Sequence, residues 1–379
     1  MKKMLLATLE FPPHIGGIAS YVHQFANAFA PEKMVVYAPK QKESIEFDKT
    51  QSYKIIRKRP LTAPIVWPRW IRTVFQFKSI VQKEKIEIIA VNHVLPLGYA
   101  AWWMKKRKHI PYIIISHGTD IVYATRSTWK KYWLKKIVRD SDQVLFNSES
   151  LKRRFLEQMP EFESKCTVVY PWPDEIFSTP PAVEKIEMLR RTLALQGKKV
   201  VLSVGRLDEG KGFPHMIRIF DDILRQEPHA VWVLVGDGPK GKELLKEIQD
   251  RSLQNVVRYV GAVPHEELPV YYYLADMFVL LTHPDNGREE GLGLVFLEAA
   301  AAGLPIIAGK SGGVSEAVID GETGRLLDVY HEAHKVVDTV CELLSDKERG
   351  KILGNAGKKR IEEIFNWKTQ LEKIKPWVS

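Results

Sequence analysis

Short apolar runs alternate with longer helical patterns along the whole chain. In the first half, residues 4–9, 34–37, 86–91, 112–115 and 143–146 read as strands. Helical patterns at 17–29, 68–84, 96–107 and 127–139 separate them. A proline-rich joint follows, from Tyr170-Pro171-Trp172-Pro173 to Thr179-Pro180-Pro181. Beyond it the alternation resumes, with strands expected at 199–204, 232–235, 257–260, 277–281, 305–308 and 324–327. The chain closes with a basic helix over 357–365 and a further helical stretch to residue 375. Such alternation predicts parallel sheets covered by helices on both faces. The expected fold class is therefore α/β, with two doubly wound Rossmann-like domains facing a central cleft. The expected boundaries are 1–175, 176–360 and a C-terminal helix over 361–379.

The most informative stretch is Glu290 to Gly313. Glu289-Glu290-Gly291-Leu292-Gly293 forms a loop whose glycines let backbone N–H groups approach a ligand closely. A helix beginning near Leu294 carries Glu298 on its second turn and stops before Gly303-Leu304-Pro305. Its N-terminus suits phosphate or sugar oxygens. A carboxylate beside an anion repels it, so Glu290 and Glu298 are better suited to accepting hydrogen bonds from hydroxyls. Together these features fit a sugar nucleotide. A surface helix with a solvated acidic start would also carry one such glutamate.

Glu290 and Glu298 with seven residues between them, followed by Ala301-Ala302-Gly303-Leu304-Pro305-Ile306-Ile307 and Ser311-Gly312-Gly313, resemble the donor-site signature of the retaining family-4 glycosyltransferases. The resemblance implies the GT-B fold, with the last helix crossing back to the first domain. It also assigns roles. Glu290 would hold hydroxyls of the transferred sugar and Glu298 the ribose, with Gly291, Leu292 and Gly293 also in the donor site. The loop Phe11 to Tyr21 looks like the family's first glycine loop, so Gly16 and Gly17 would admit the pyrophosphate; read alone, the pair also fits a tight turn. His117 in Ser116-His117-Gly118-Thr119-Asp120 matches a His-Gly pair near the reacting carbon, with Asp120 a weaker candidate. Arg206 and Lys211, in the glycine-flanked loop after the strand at 199–204, would stabilise charge on the leaving diphosphate. Val263 would contact the base through its backbone. Catalysis would thus rest on His117, Glu290, Arg206 and Lys211, by the family's same-face displacement.

Asp140-Ser141-Asp142 has the spacing that another glycosyltransferase fold uses for a divalent metal, but it lies at a helix–strand junction far from the donor motif. No metal and no cofactor is expected. Cys166 and Cys341 form no spacing motif, which fits a reducing cytoplasm. The apolar run after Met1 ends at Glu10 and reads as a strand rather than a leader.

Charge changes the picture most. Residues 1–175 carry 29 basic and 16 acidic side chains, a net of +13, against −3 for the remainder. Residues 51–139 alone reach +16. Such a field attracts nucleic acid, anionic lipid or an acidic substrate. Within it Arg57-Lys58-Arg59 and Trp129-Lys130-Lys131-Tyr132-Trp133 mix bases with aromatics, which suits a membrane headgroup layer. The alternative is aromatics in the core and charges on a solvated face. Within family 4, the Phe11–Tyr21 and Glu290–Gly313 strings look most like the bacterial phosphatidylinositol mannosyltransferases. The leading expectation is a mannosyltransferase using GDP-mannose and a lipid-linked or glycan acceptor, peripheral on the cytoplasmic face of the membrane. The rivals are a UDP-sugar transferase acting on a soluble or polysaccharide acceptor, and a basic nucleic-acid-binding α/β protein.

Overall fold

The computed structural model describes residues 1–14, 16–63, 67–118, 121, 124, 125 and 127–379. Seven strands form the first sheet: β1 (Met4–Ala7), β2 (Met34–Pro39), β3 (Lys54–Lys58), β4 (Ile88–Asn92), β5 (Tyr112–Ser116), β6 (Gln143–Phe146) and β7 (Cys166–Val168). Six form the second: β8 (Lys199–Val204), β9 (Ala230–Val235), β10 (Val257–Gly261), β11 (Met277–Leu280), β12 (Ile306–Gly309) and β13 (Arg325–Leu327). Their spatial orders are β3-β2-β1-β4-β5-β6-β7 and β10-β9-β8-β11-β12-β13, and the recorded pairings are parallel. Both are doubly wound Rossmann-like sheets, as the alternating pattern predicts. Each reverses direction once, between β1 and β4 and between β8 and β11. A reversal of this kind opens a crevice at the carboxyl ends of the strands, where ligands of such sheets bind.

The central strands are apolar at nearly every position because helices cover both of their faces; β4, β5, β9 and β11 are buried throughout. The helix Phe213–Gln226 shows how one cover is built. Phe213, Met216, Ile217, Phe220 and Ile223 recur at helical spacing and are all buried. Two strands, β3 and β7, were not anticipated. They are sheet edges, one half-exposed and bounded by Lys54 and Lys58, the other only three residues long.

The chain divides into two units, Met1–Pro171 with Trp367–Ser379, and Trp172–Asn366. The helix Lys347–Glu363 belongs to the second unit, so the return to the first begins at Trp367. Gln370 Oε1 accepts from Tyr170 N at 2.9 Å, and Lys373 Nζ donates to Val168 O at 3.1 Å. Lys2 N donates to Val378 O at 2.7 Å. Among the described residues no helix is long and apolar enough to cross a membrane.

Candidate active site

In the second unit the sheet reversal lies between β8 and β11, and the loops leaving these two strands pack on each other. His283 N donates to Gly210 O at 3.0 Å. Gly212 adopts φ +76°, and a Cβ there would lie 1.8 Å from Leu281 O, so only glycine lets the loop close. The chain after β11 turns back through a bridge between Asp285 and Arg288 and delivers Glu290. The turn after β12 then fixes Glu290 from both sides. Ser311 Oγ accepts from Glu290 N at 3.1 Å, and Gly313 N donates to Glu290 O at 3.0 Å. A Cβ on Gly312 would fall 2.1 Å from that same oxygen.

This scaffold brings together two residues 79 apart in sequence. Lys211 Nζ donates to Glu290 Oε2 in an ion pair whose side chains are 24% and 18% exposed. Arg206 stands differently, 70% exposed with Nε 3.6 Å from Asp208 Oδ2. One cation is thus held against the carboxylate while the other reaches into solvent.

Gly291, Leu292 and Gly293 lead into the helix Leu294–Ala301, whose first-turn N–H groups have no intrahelical acceptors. Glu298, one turn further on, is 4% exposed and accepts from Tyr272 OH at 2.7 Å. Burial pushes its pKa above the usual carboxylate range, against the pull of His265 and of the Tyr272 bond. Burial also opposes a charge on His265. Its partner Asp174, 3.6 Å away, nevertheless draws the His265 pKa up, with Glu298 and Glu266 adding to the effect. Val263 is buried two residues beyond β10. Tyr272, Asp174 and His265 were not foreseen as a set around Glu298.

In the first unit, Gly16 and Gly17 open the helix Gly17–Asn27. Gly16 has extended backbone, a Cβ built on it meets nothing closer than 3.9 Å, and one on Gly17 meets nothing within 4 Å. Nothing in their own surroundings therefore demands glycine, unlike Gly212 and Gly312. His117 follows β5, with Nε2 2.5 Å from Asn92 Oδ1 and Nδ1 2.7 Å from Asn147 Nδ2. Burial, then the neighbouring His93, holds its pKa well below the ordinary histidine value. The two asparagines were also missed. The available signal was a polar residue at the carboxyl end of each buried strand. Asp120 lies outside the described residues.

Two of the basic and aromatic expectations need correction. Arg57 is not available to a membrane: its side chain is 9% exposed, grips Asp48 at 2.7 Å and donates to Pro12 O at 2.5 Å and Pro39 O at 3.2 Å. It ties the edge strand β3 to Pro12 and to Pro39 at the end of β2. Trp133 packs edge-on against Trp102 and Tyr99 rather than reaching outward. Lys58, Arg59, Trp129 and Lys130 are exposed and Lys131 partly so. Asp140 accepts from Trp102 Nε1 at 2.7 Å and pairs with Lys106, while Asp142 pairs with Lys105 at 2.7 Å. Both carboxylates are thus taken up by lysines. Among the described residues no group of three or more histidine, cysteine, aspartate or glutamate side chains is arranged to hold a metal.

Residues 185–360 match the family described as Glycosyl transferases group 1, and residues 15–175 match Glycosyltransferase Family 4. A GDP-mannose-dependent alpha-(1-6)-phosphatidylinositol monomannoside mannosyltransferase of Mycobacterium tuberculosis is 30% identical over 385 residues, covering 99% of this chain and 97% of its own. A GDP-mannose-dependent monoacylated alpha-(1-6)-phosphatidylinositol monomannoside mannosyltransferase of Corynebacterium glutamicum is 29% identical, covering 98% and 97%. Among solved structures, Anabaena HepE in complex with UDP and glucose aligns over 99% of both chains with a TM-score of 0.81 at 20% identity.

Proposed function

Because the chain belongs to the glycosyltransferases, its first half to family 4 and its second to group 1, we propose that it transfers mannose from GDP-mannose to a lipid-linked acceptor with retention of configuration. The observation that carries this reading is the end-to-end similarity to enzymes named for GDP-mannose and a phosphatidylinositol mannoside. In this reading Lys211 and Arg206 bind the diphosphate and Gly16 and Gly17 leave it room. Glu290 and the N–H groups of residues 291–293 hold the sugar hydroxyls, Glu298 the ribose, Val263 the base, and His117 lies at the reacting carbon. The bond from the anomeric carbon to the diphosphate oxygen breaks as the acceptor oxygen bonds to the same face, and the acceptor's hydroxyl proton passes to the departing diphosphate oxygen. Positive charge from Lys211 and Arg206 grows in value as negative charge develops on the leaving group. Two side chains that supply this charge make a bound metal unnecessary.

Titration calorimetry with GDP, GDP-mannose and UDP tests the donor. GDP and GDP-mannose are expected to bind with matching affinity in chelator and in divalent cation, and Arg206→Ala to weaken both by tenfold or more, about 1.4 kcal/mol. A preference for UDP would move the donor assignment; strict metal dependence would return attention to acidic ligands; no nucleotide binding would end the reading.

For the acceptor, support comes from the first unit. A groove of about 440 Å³ runs beside β3, lined by Lys58, Ile71, Arg72, Phe75, Ser79 and Ile80. Its apolar walls and two cations suit an amphiphile with an anionic head. Trp129 and Tyr132, 55% and 57% exposed, stand beside Lys130 and Lys131. We therefore place the enzyme peripherally on anionic membrane. In flotation assays the protein should rise with vesicles containing an anionic phospholipid, less so with added salt or in Trp129→Ser/Lys130→Ser. Equal flotation with neutral vesicles, indifferent to salt, would dismiss membrane attachment through charge.

A further inference from the structure

His117 stands in a row of polar side chains at the carboxyl ends of four adjacent strands: Thr8 after β1, Asn92 ending β4, His117 after β5 and Asn147 after β6. Both ring nitrogens are engaged from within the chain, Nε2 by Asn92 Oδ1 and Nδ1 by Asn147 Nδ2. The direction of these bonds follows from their far end. Thr8 has one hydroxyl proton, and it donates that proton to Glu10 O at 2.7 Å. Its oxygen can then only accept, which it does from Glu10 N at 3.1 Å and from Asn92 Nδ2 at 3.1 Å. The amide nitrogen of Asn92 therefore faces Thr8, and its oxygen faces the imidazole. An oxygen at that place requires a proton on Nε2. In a neutral ring Nδ1 is then a lone pair, and the Asn147 amide donates to it.

We propose that Asn92 and Asn147 are positioning residues that fix His117 as the Nε2–H tautomer and withhold both of its ring nitrogens from proton transfer. The inference rests on the reading that His117 lies at the reacting carbon, and it changes what the residue does there. The ring contributes shape and a fixed dipole. The proton of the incoming hydroxyl therefore does not pass to this ring.

The surroundings agree. Among the described residues His93 faces the ring with centroids 5.4 Å apart and Tyr21 meets it edge-on at 5.5 Å, while Glu10 Oε1 lies 4.0 Å from the far partner, His93 Nε2. A second proton on His117 would sit on Nδ1 and oppose the N–H of Asn147. Relief would need the Asn147 amide to turn over. Its buried Oδ1 has no hydrogen-bond partner among the described residues and would become the acceptor.

The test is long-range proton–nitrogen spectroscopy on protein labelled with nitrogen-15 histidine, the His117 signal identified by its loss in His117→Gln. The expected wild-type spectrum shows a protonated Nε2 and a bare Nδ1, unchanged from pH 5 to 8. A proton on Nδ1, or titration in the ordinary histidine range, would overturn the proposal without recourse to any further variant. Asn147→Asp places a carboxylate at Nδ1 and should give a doubly protonated ring at pH 7. In that variant kcat should fall tenfold or more, with KM for the donor within twofold, and recover as pH rises and the ring loses its extra proton. A doubly protonated ring with unchanged kcat would uphold the tautomer assignment and remove His117 from the reacting carbon.

Discussion

Replacing Glu290 by alanine should lower kcat by about a thousandfold while leaving the fold in place. The size follows from what the carboxylate is asked to do. Charge-assisted hydrogen bonds to the sugar that strengthen as positive charge gathers at the anomeric carbon act mainly in the transition state, and losing one such contact costs roughly 10²–10³ in rate. Glu290 also holds Lys211, so its removal releases that ammonium from its geometry as well. Stability should change little because the backbone at this position is held by Ser311 and Gly313, not by the side chain. Steady-state transfer assays and thermal melts read both effects. A Tm within about 4 °C of wild type corresponds to roughly 1 kcal/mol in domains of this size. Near-normal turnover would remove Glu290 from the donor site, and a large fall in Tm would recast it as structural.

Lys211→Ala should lower kcat by about 10²- to 10³-fold, with a smaller rise in KM, because the ammonium stabilises the leaving diphosphate more than the bound one. Arginine at this place should rescue only partly. Its planar fork does not reproduce a compact charge seated between a carboxylate and a phosphate. The two residues touch, so their effects should not add. The double variant Lys211→Ala/Glu290→Ala should be much less impaired than the product of the single losses, since each single change already disrupts the pair. Strict additivity would mean the contact has no part in catalysis.

Much of this was legible from the chain alone, for identifiable reasons. The central strands announce themselves as apolar runs between helices, and the glycines at 212 and 312 mark places where backbone meets backbone. The edges β3 and β7 are less visible, because a strand with one neighbour needs neither length nor continuous burial. Partnerships across long sequence separations leave no local trace. Lys211 and Glu290 each read as ligand-binding, yet nothing in either motif says that they bind one another. Arg57 read as surface charge because its partners, Asp48 and the Pro12 carbonyl, are set by the sheet. Likewise the ring of His117 was visible, but Asn92 and Asn147, 25 and 30 residues away, were not.

The interruption of the first unit by the second sets an order of events during synthesis. Residues 1–171 emerge first, but Trp367–Ser379, which complete the unit, follow only after roughly two hundred further residues. At 5–20 residues per second that interval is about 10 to 40 s. Throughout it, Gln370 and Lys373, which bond Tyr170 N and Val168 O in the finished unit, are not yet made, nor are Ile374 and Val378, which end up buried. The second unit, continuous in sequence, can finish folding while the first still waits. Maturation of the first unit therefore waits for the synthesis of Trp367–Ser379, which act as its closing clasp.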